Sequence, residues 1–68
     1  MRQVSIQGEA IRLGQFLKLA DVVGVGSDVK GLLAGGMVLV NGEVESRRGR
    51  QLLPGDEVRV PGEELRVG

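Results

Sequence analysis

The chain has 68 residues, 41% hydrophobic and 26% charged, with nine basic residues balancing nine acidic ones for a formal net charge of zero. A chain this short is expected to form a single domain over residues 1–68. It buries only ~60% of the surface its unfolded form exposes, so little apolar material is spare. Cysteine and histidine are absent and Phe16 is the only aromatic residue, which removes disulfides, thiol nucleophiles, imidazole bases and the usual zinc ligand sets, and leaves aliphatic side chains to form the core.

Along the chain, Gln3-Val4-Ser5-Ile6-Gln7 alternates polar and apolar, the period of a half-buried strand, and Gly8 closes it. From Ile11 the period changes. Leu13, Phe16, Leu17, Ala20 and Val23 form one helical stripe, predicting a helix over residues 11–23 despite Gly14, which costs about 1 kcal/mol against alanine. Arg12, Gln15 and Lys18 fall off the stripe. Gly24 and Gly26 are expected to stop this helix. Ser27 then suits the N-cap of a second one, with Asp28 in its first turn. Val29, Leu32 and Leu33 give that helix a short apolar stripe, and Gly35-Gly36 ends it.

Residues 37–40 read as a strand, and Asn41-Gly42 is a strong two-residue hairpin signal because both positions tolerate the left-handed backbone of the tight turn. The return strand is predicted over residues 43–46. After the turn signal Pro54-Gly55-Asp56, two more strands flank Pro61-Gly62. Pairing around a two-residue loop would set Arg59 opposite Glu64 and Glu57 opposite Arg66, with Val58 and Leu65 meeting on the other face. These elements predict an α+β fold, two short helices packed on a small, mainly antiparallel sheet.

The zero net charge hides a polarised distribution. Residues 11–50 carry six bases and four acids, whereas residues 51–68 carry two bases, Arg59 and Arg66, against four acids. Arg47, Arg48 and Arg50 fall within four residues just after the hairpin. Guanidinium forks match phosphate oxygens, so this loop suggests a phosphate-binding surface and hence a nucleic acid. Its arginines lie outside the apolar stripes, so removing all three is expected to spare the fold. No apolar run approaches the roughly 20 residues that span a bilayer. The opening Met1-Arg2-Gln3-Val4-Ser5 lacks a signal-peptide core. A soluble cytoplasmic protein without membrane contact is therefore expected. No nucleophile sits at a recognisable spacing from a base, and Gly24-Val25-Gly26-Ser27 lacks the lysine of a nucleotide-binding loop. No catalysis, small-molecule substrate, metal or cofactor is expected.

Ile11-Arg12-Leu13 with Phe16-Leu17, Ser27, Leu32-Leu33, the glycine pair, Val38-Leu39-Val40-Asn41-Gly42-Glu43-Val44, the basic loop and Pro54-Gly55-Asp56-Glu57-Val58 together resemble the αL RNA-binding domain. That family is named after the fourth protein of the small ribosomal subunit. The resemblance covers about residues 8 to 60. It is strongest to short bacterial members in which the domain is nearly the whole protein. It implies a non-catalytic, RNA-binding domain that holds structured RNA, ribosomal or transfer RNA, mainly through phosphates. It further implies that Arg12, Lys18, Lys30, Arg47, Arg48 and Arg50 form the basic face. Asp28 departs from the family pattern, in which many members place a base after the serine opening the second helix.

Two other readings stay open at this level. The hairpin string and Gly55-Asp56-Glu57-Val58 are also similar to the second half of ubiquitin-like sulfur carriers, which act through a C-terminal glycine, here Gly68. A protein-binding adaptor that accepts a strand on a sheet edge is the other. The scarcity of aromatic residues argues for recognition of shape and phosphates over base stacking, and for affinity that falls steeply with salt.

Overall fold

The computed structural model describes residues 1–22 and 29–68. The elements in chain order are β1 (Arg2–Val4), β2 (Ile11–Arg12), α1 (Leu13–Leu19), α2 (Val29–Ala34), β3 (Leu39–Val40), β4 (Glu43–Val44), β5 (Gln51–Leu52), β6 (Glu57–Val60) and β7 (Glu63–Val67). Five strands form one sheet in the order β1-β7-β6-β3-β4, parallel only between β1 and β7, and β2 pairs with β5 in a separate antiparallel ribbon. The α+β architecture and its mainly antiparallel sheet match the expectation from sequence.

The best-specified part is the β6–β7 hairpin. Its register sets Arg59 opposite Glu64, Glu57 opposite Arg66 and Val58 opposite Leu65, as the alternation predicts. Val58, Val60, Leu65 and Val67 are buried against Leu13, Phe16, Leu17 and Ala20 from the first helix and its end, with Val29, Leu33, Val38, Val40 and Leu52 completing the core. The outward positions carry the charges, and both cross-strand pairs form, Arg59 to Glu64 at 2.9 Å and Arg66 to Glu57 at 3.1 Å. Asn41 and Gly42 take φ of 52° and 86°, which gives the predicted tight turn its left-handed pair. Asn41 also ties that turn to the sheet: its side-chain oxygen accepts from the Glu57 N–H at 2.9 Å.

Several boundaries differ from the sequence reading, each for a local reason. The first strand is Arg2–Val4 rather than residues 3–7, and it runs parallel beside β7, a partner about sixty residues away that no local pattern reveals. The first helix starts at Leu13, because Ile11 and Arg12 pair with Leu52 and Gln51. It ends at Leu19, where Asp21 adopts φ 59°, the Asp21 N–H donates to the Lys18 carbonyl and the Val22 N–H to the Leu17 carbonyl. This is the left-handed cap that glycine usually supplies. The second helix ends the same way at Gly36, as expected, with the Met37 N–H reaching the Leu32 carbonyl. The strand expected over residues 37–40 is Leu39–Val40, and its return strand is Glu43–Val44; the Glu45 N–H still donates to the Val38 carbonyl at 2.9 Å while its side chain binds two arginines. The expectations for Val23, Gly24, Gly26, Ser27 and Asp28 lie outside the described residues.

Candidate nucleic-acid interface

Arg47, Arg48, Gly49 and Arg50 form a turn closed by the Arg50 N–H on the Arg47 carbonyl at 3.2 Å. This turn is docked on the start of α1. The Leu13 N–H donates to the Arg50 carbonyl at 2.8 Å, and the Gly14 N–H to the Arg48 carbonyl at 2.9 Å. The first N–H groups of a helix lack intrahelical acceptors, and a capping side chain usually provides one. Arg12, at the cap position, provides none, so loop carbonyls do the work. Gly14 allows that approach: a Cβ there would stand 3.3 Å from the Arg48 carbonyl oxygen and 3.6 Å from its Nε. The Arg48 side chain thus lies over the first turn of α1.

Glu45 holds the same turn from the other side. Its carboxylate is buried and accepts from the Arg47 backbone N–H at 3.0 Å, Arg47 Nε at 3.1 Å, Arg47 Nη2 at 3.2 Å and Arg50 Nη1 at 2.9 Å. The Arg47 and Arg50 hydrogen bonds lower its pKa from 4.5 to about 2, and the same contact raises that of Arg47. Glu43 and Glu45 both stand near enough in sequence to neutralise one loop arginine; in the structure Glu45 engages two. Arg47 nonetheless leaves 74% of its side chain exposed and Arg50 32%, so each combines an inward contact with an outward face.

The remaining bases divide sharply. On the sheet, Arg2 pairs with Glu63 at 3.1 Å and also donates to the Ala20 carbonyl, while Arg59 and Arg66 have the glutamates described above. Around α1 the pattern reverses: Arg12, Lys18 and Arg48 are exposed and have no ion pair among the described residues. The pairing of Lys18 with Asp21 and that of Arg12 with Glu9, both conceivable from sequence spacing, do not form. Arg12 precedes α1 and stands opposite Gln51, next to the loop; Lys18 follows Gly14 by one helical turn, on the side that Arg48 covers. Lys30 is exposed on α2. Four of the six predicted bases, Arg12, Arg47, Arg48 and Arg50, are therefore grouped around the β2–α1 junction, with Lys18 in the last turn of α1.

The roles of two residues that organise this surface are only partly legible in the sequence. Gly14 was visible as an unfavourable glycine inside a helical stripe, and Glu45 as an acid two residues before the arginines, but neither signal names its partner. Gly68, the residue on which the sulfur-carrier alternative depends, is tied into the sheet, its N–H donating to the Val4 carbonyl at 2.9 Å and its carbonyl accepting from the Ile6 N–H at 3.2 Å. No helix among the described residues is long and apolar enough to cross a membrane, and no cluster of potential metal ligands occurs among them.

The comparison with known proteins agrees with the resemblance. The "Probable ribosome maturation protein RlbA" of Bacillus subtilis (strain 168) is 52% identical over 59 residues, covering 87% of this chain and 83% of that protein. No solved structure matches significantly. The family model described as the S4 domain matches residues 4–68, and the chain belongs to that family.

Proposed function

We propose that this chain is a non-catalytic RNA-binding module that holds structured RNA through the face built from Arg12, Lys18, Lys30, Arg47, Arg48 and Arg50, and that it acts in maturation of the ribosome. Membership of the S4 domain family and the name of the Bacillus relative support the class of partner. The observation that carries the site is the division of the charges: sheet arginines face glutamates, while Arg12 and Arg48 at the start of α1 and Lys18 in its last turn have no acidic partner among the described residues. Unmatched cations on a preformed surface release counterions when they meet phosphates, which is the main source of affinity in such contacts. Phe16 is fully buried, so it offers no ring for stacking bases.

The test is crosslinking and RNA sequencing from the native cell, comparing the intact protein with the R12A/K18A/R48A variant. Discrete crosslinks to ribosomal RNA that vanish in the variant are the expected result. Equal background in both would overturn the reading.

A further inference from the structure

Beside Arg12 lies a depression of about 340 Å³ lined by Ala10, Ile11, Arg12, Gln15, Gly49 and Gln51. Phosphate binding leaves two of its features unexplained. The first is Gly49. Gly8, Gly36, Gly42, Gly55 and Gly62 have left-handed φ, and a Cβ on Gly14, Gly35 or Gly68 would meet a neighbour at 3.3 Å or less. At Gly49 φ lies outside the left-handed region and a Cβ would meet nothing within 4 Å. Neither backbone nor packing requires a glycine there, and Gly49 lines the depression without adding a side chain to it.

The second feature is the pair of carboxamides. Gln15 comes from α1 and Gln51 from β5; both are exposed, and neither side chain has a hydrogen-bond partner among the described residues. Cations suffice for phosphate, whereas a carboxamide offers a donor and an acceptor side by side, the complement of a nucleobase edge. With no exposed aromatic ring, the flat guanidinium of Arg12 supplies a surface on which a base can stack.

Building on the RNA-binding reading, we propose that this depression receives one unpaired nucleobase of the bound RNA, stacked on Arg12 and held at its edge by Gln15 and Gln51, while Arg48 and Lys18 engage the flanking phosphates. The domain then distinguishes a helix carrying an extruded base from a fully paired one, which a purely electrostatic face does not.

The experiment compares two RNA hairpins of identical stem, one fully paired and one with a single bulged adenosine, by fluorescence anisotropy at fixed salt. The intact protein should bind the bulged hairpin about tenfold tighter, the scale of one stacked base. G49L, which fills the depression from an unobstructed position, and Q15A/Q51A, which removes the edge contacts, should each abolish that preference and leave affinity for the paired hairpin unchanged. R48A should weaken both hairpins alike. Equal binding of the two hairpins by the intact protein, or a preference that survives in Q15A/Q51A and G49L, overturns the base site while leaving the RNA-binding reading intact. Failure to bind either hairpin overturns both.

Discussion

The Gly14 N–H donates to the Arg48 carbonyl at 2.9 Å, and a Cβ on Gly14 would stand only 3.3 Å from that oxygen. One contact therefore joins the residue least suited to a helix with the loop arginine that has no acidic partner among the described residues. The capping interaction that α1 lacks at Arg12 is recovered from the turn, and the turn is held by the helix it caps. Function and stability meet at this junction, so a substitution that displaces the Arg48 backbone should move both.

Replacing Gly14 with valine inserts three carbons where the Arg48 carbonyl already sits. Alanine at this position would gain helix propensity, but valine adds branching against a tethered backbone. G14V is expected to destabilise the fold by roughly 1–3 kcal/mol, the usual scale of overpacking. Urea unfolding with an unchanged m-value checks the magnitude. Chemical shifts confined to residues 47–50 and the start of α1 check the mechanism.

The loop arginines should separate into two classes. Arg47 and Arg50 satisfy the buried Glu45 carboxylate, so R47A/R50A leaves a buried charge with only the backbone N–H of residue 47 as a partner, and the melting temperature should fall. This revises the expectation that all three arginines could be removed without consequence for the fold. R48A removes no contact to an acid and should melt like the parent, while weakening RNA binding. Paired thermal melts and RNA titrations distinguish the classes; identical melting of R47A/R50A and the parent would refute the role given to Glu45.

Acid should loosen the same loop over a defined range. Glu45 titrates at about 2 rather than 4.5 because the Arg47 and Arg50 hydrogen bonds favour its charged form. A carboxylate whose folded pKa is depressed favours the folded state fully above its unfolded pKa; that stabilisation declines as pH falls from 4.5 to about 2 and is absent below it. An NMR titration of the Glu45 carboxyl carbon should give a midpoint near 2. In E45Q, the part of the acid destabilisation that belongs to this group should disappear.

Salt offers a test of the charge division. If four to six phosphates are neutralised, the logarithm of the binding constant should fall against the logarithm of salt concentration with a slope of roughly −3 to −5. K18A and R48A should each make that slope shallower by about one. R59A and R66A, whose charges face Glu64 and Glu57 on the sheet, should leave it unchanged. Their effect on stability should stay within the roughly 0.2–1 kcal/mol of exposed ion pairs. A slope near zero in the parent would refute electrostatic recognition.

The legible parts of this chain are those whose physics is local. Asn41-Gly42 encodes its turn because only residues tolerant of positive φ fit it, and the β6–β7 register follows from alternation across a two-residue loop, which also places Arg59 on Glu64 and Arg66 on Glu57. The stripe from Leu13 to Ala20 likewise identifies the buried face of α1. Where a non-glycine residue takes over a glycine's task, as Asp21 does at the end of α1, the pattern misleads by a turn.

What the amino-acid sequence by itself determined was the class of fold, the core stripes and the set of exposed bases, since periodicity, turn chemistry and charge are properties of neighbouring residues. Only the tertiary structure decided that β1 lies parallel to β7, that Ile11 and Arg12 join Leu52 and Gln51 instead of the helix, and that loop carbonyls cap Leu13 and Gly14. It also decided that Arg2 meets Glu63 and that Arg47 and Arg50 share Glu45. Each of these depends on backbone groups far apart in the chain finding one another as the core closes, and no local pattern records which of several possible partners a free N–H or guanidinium reaches first.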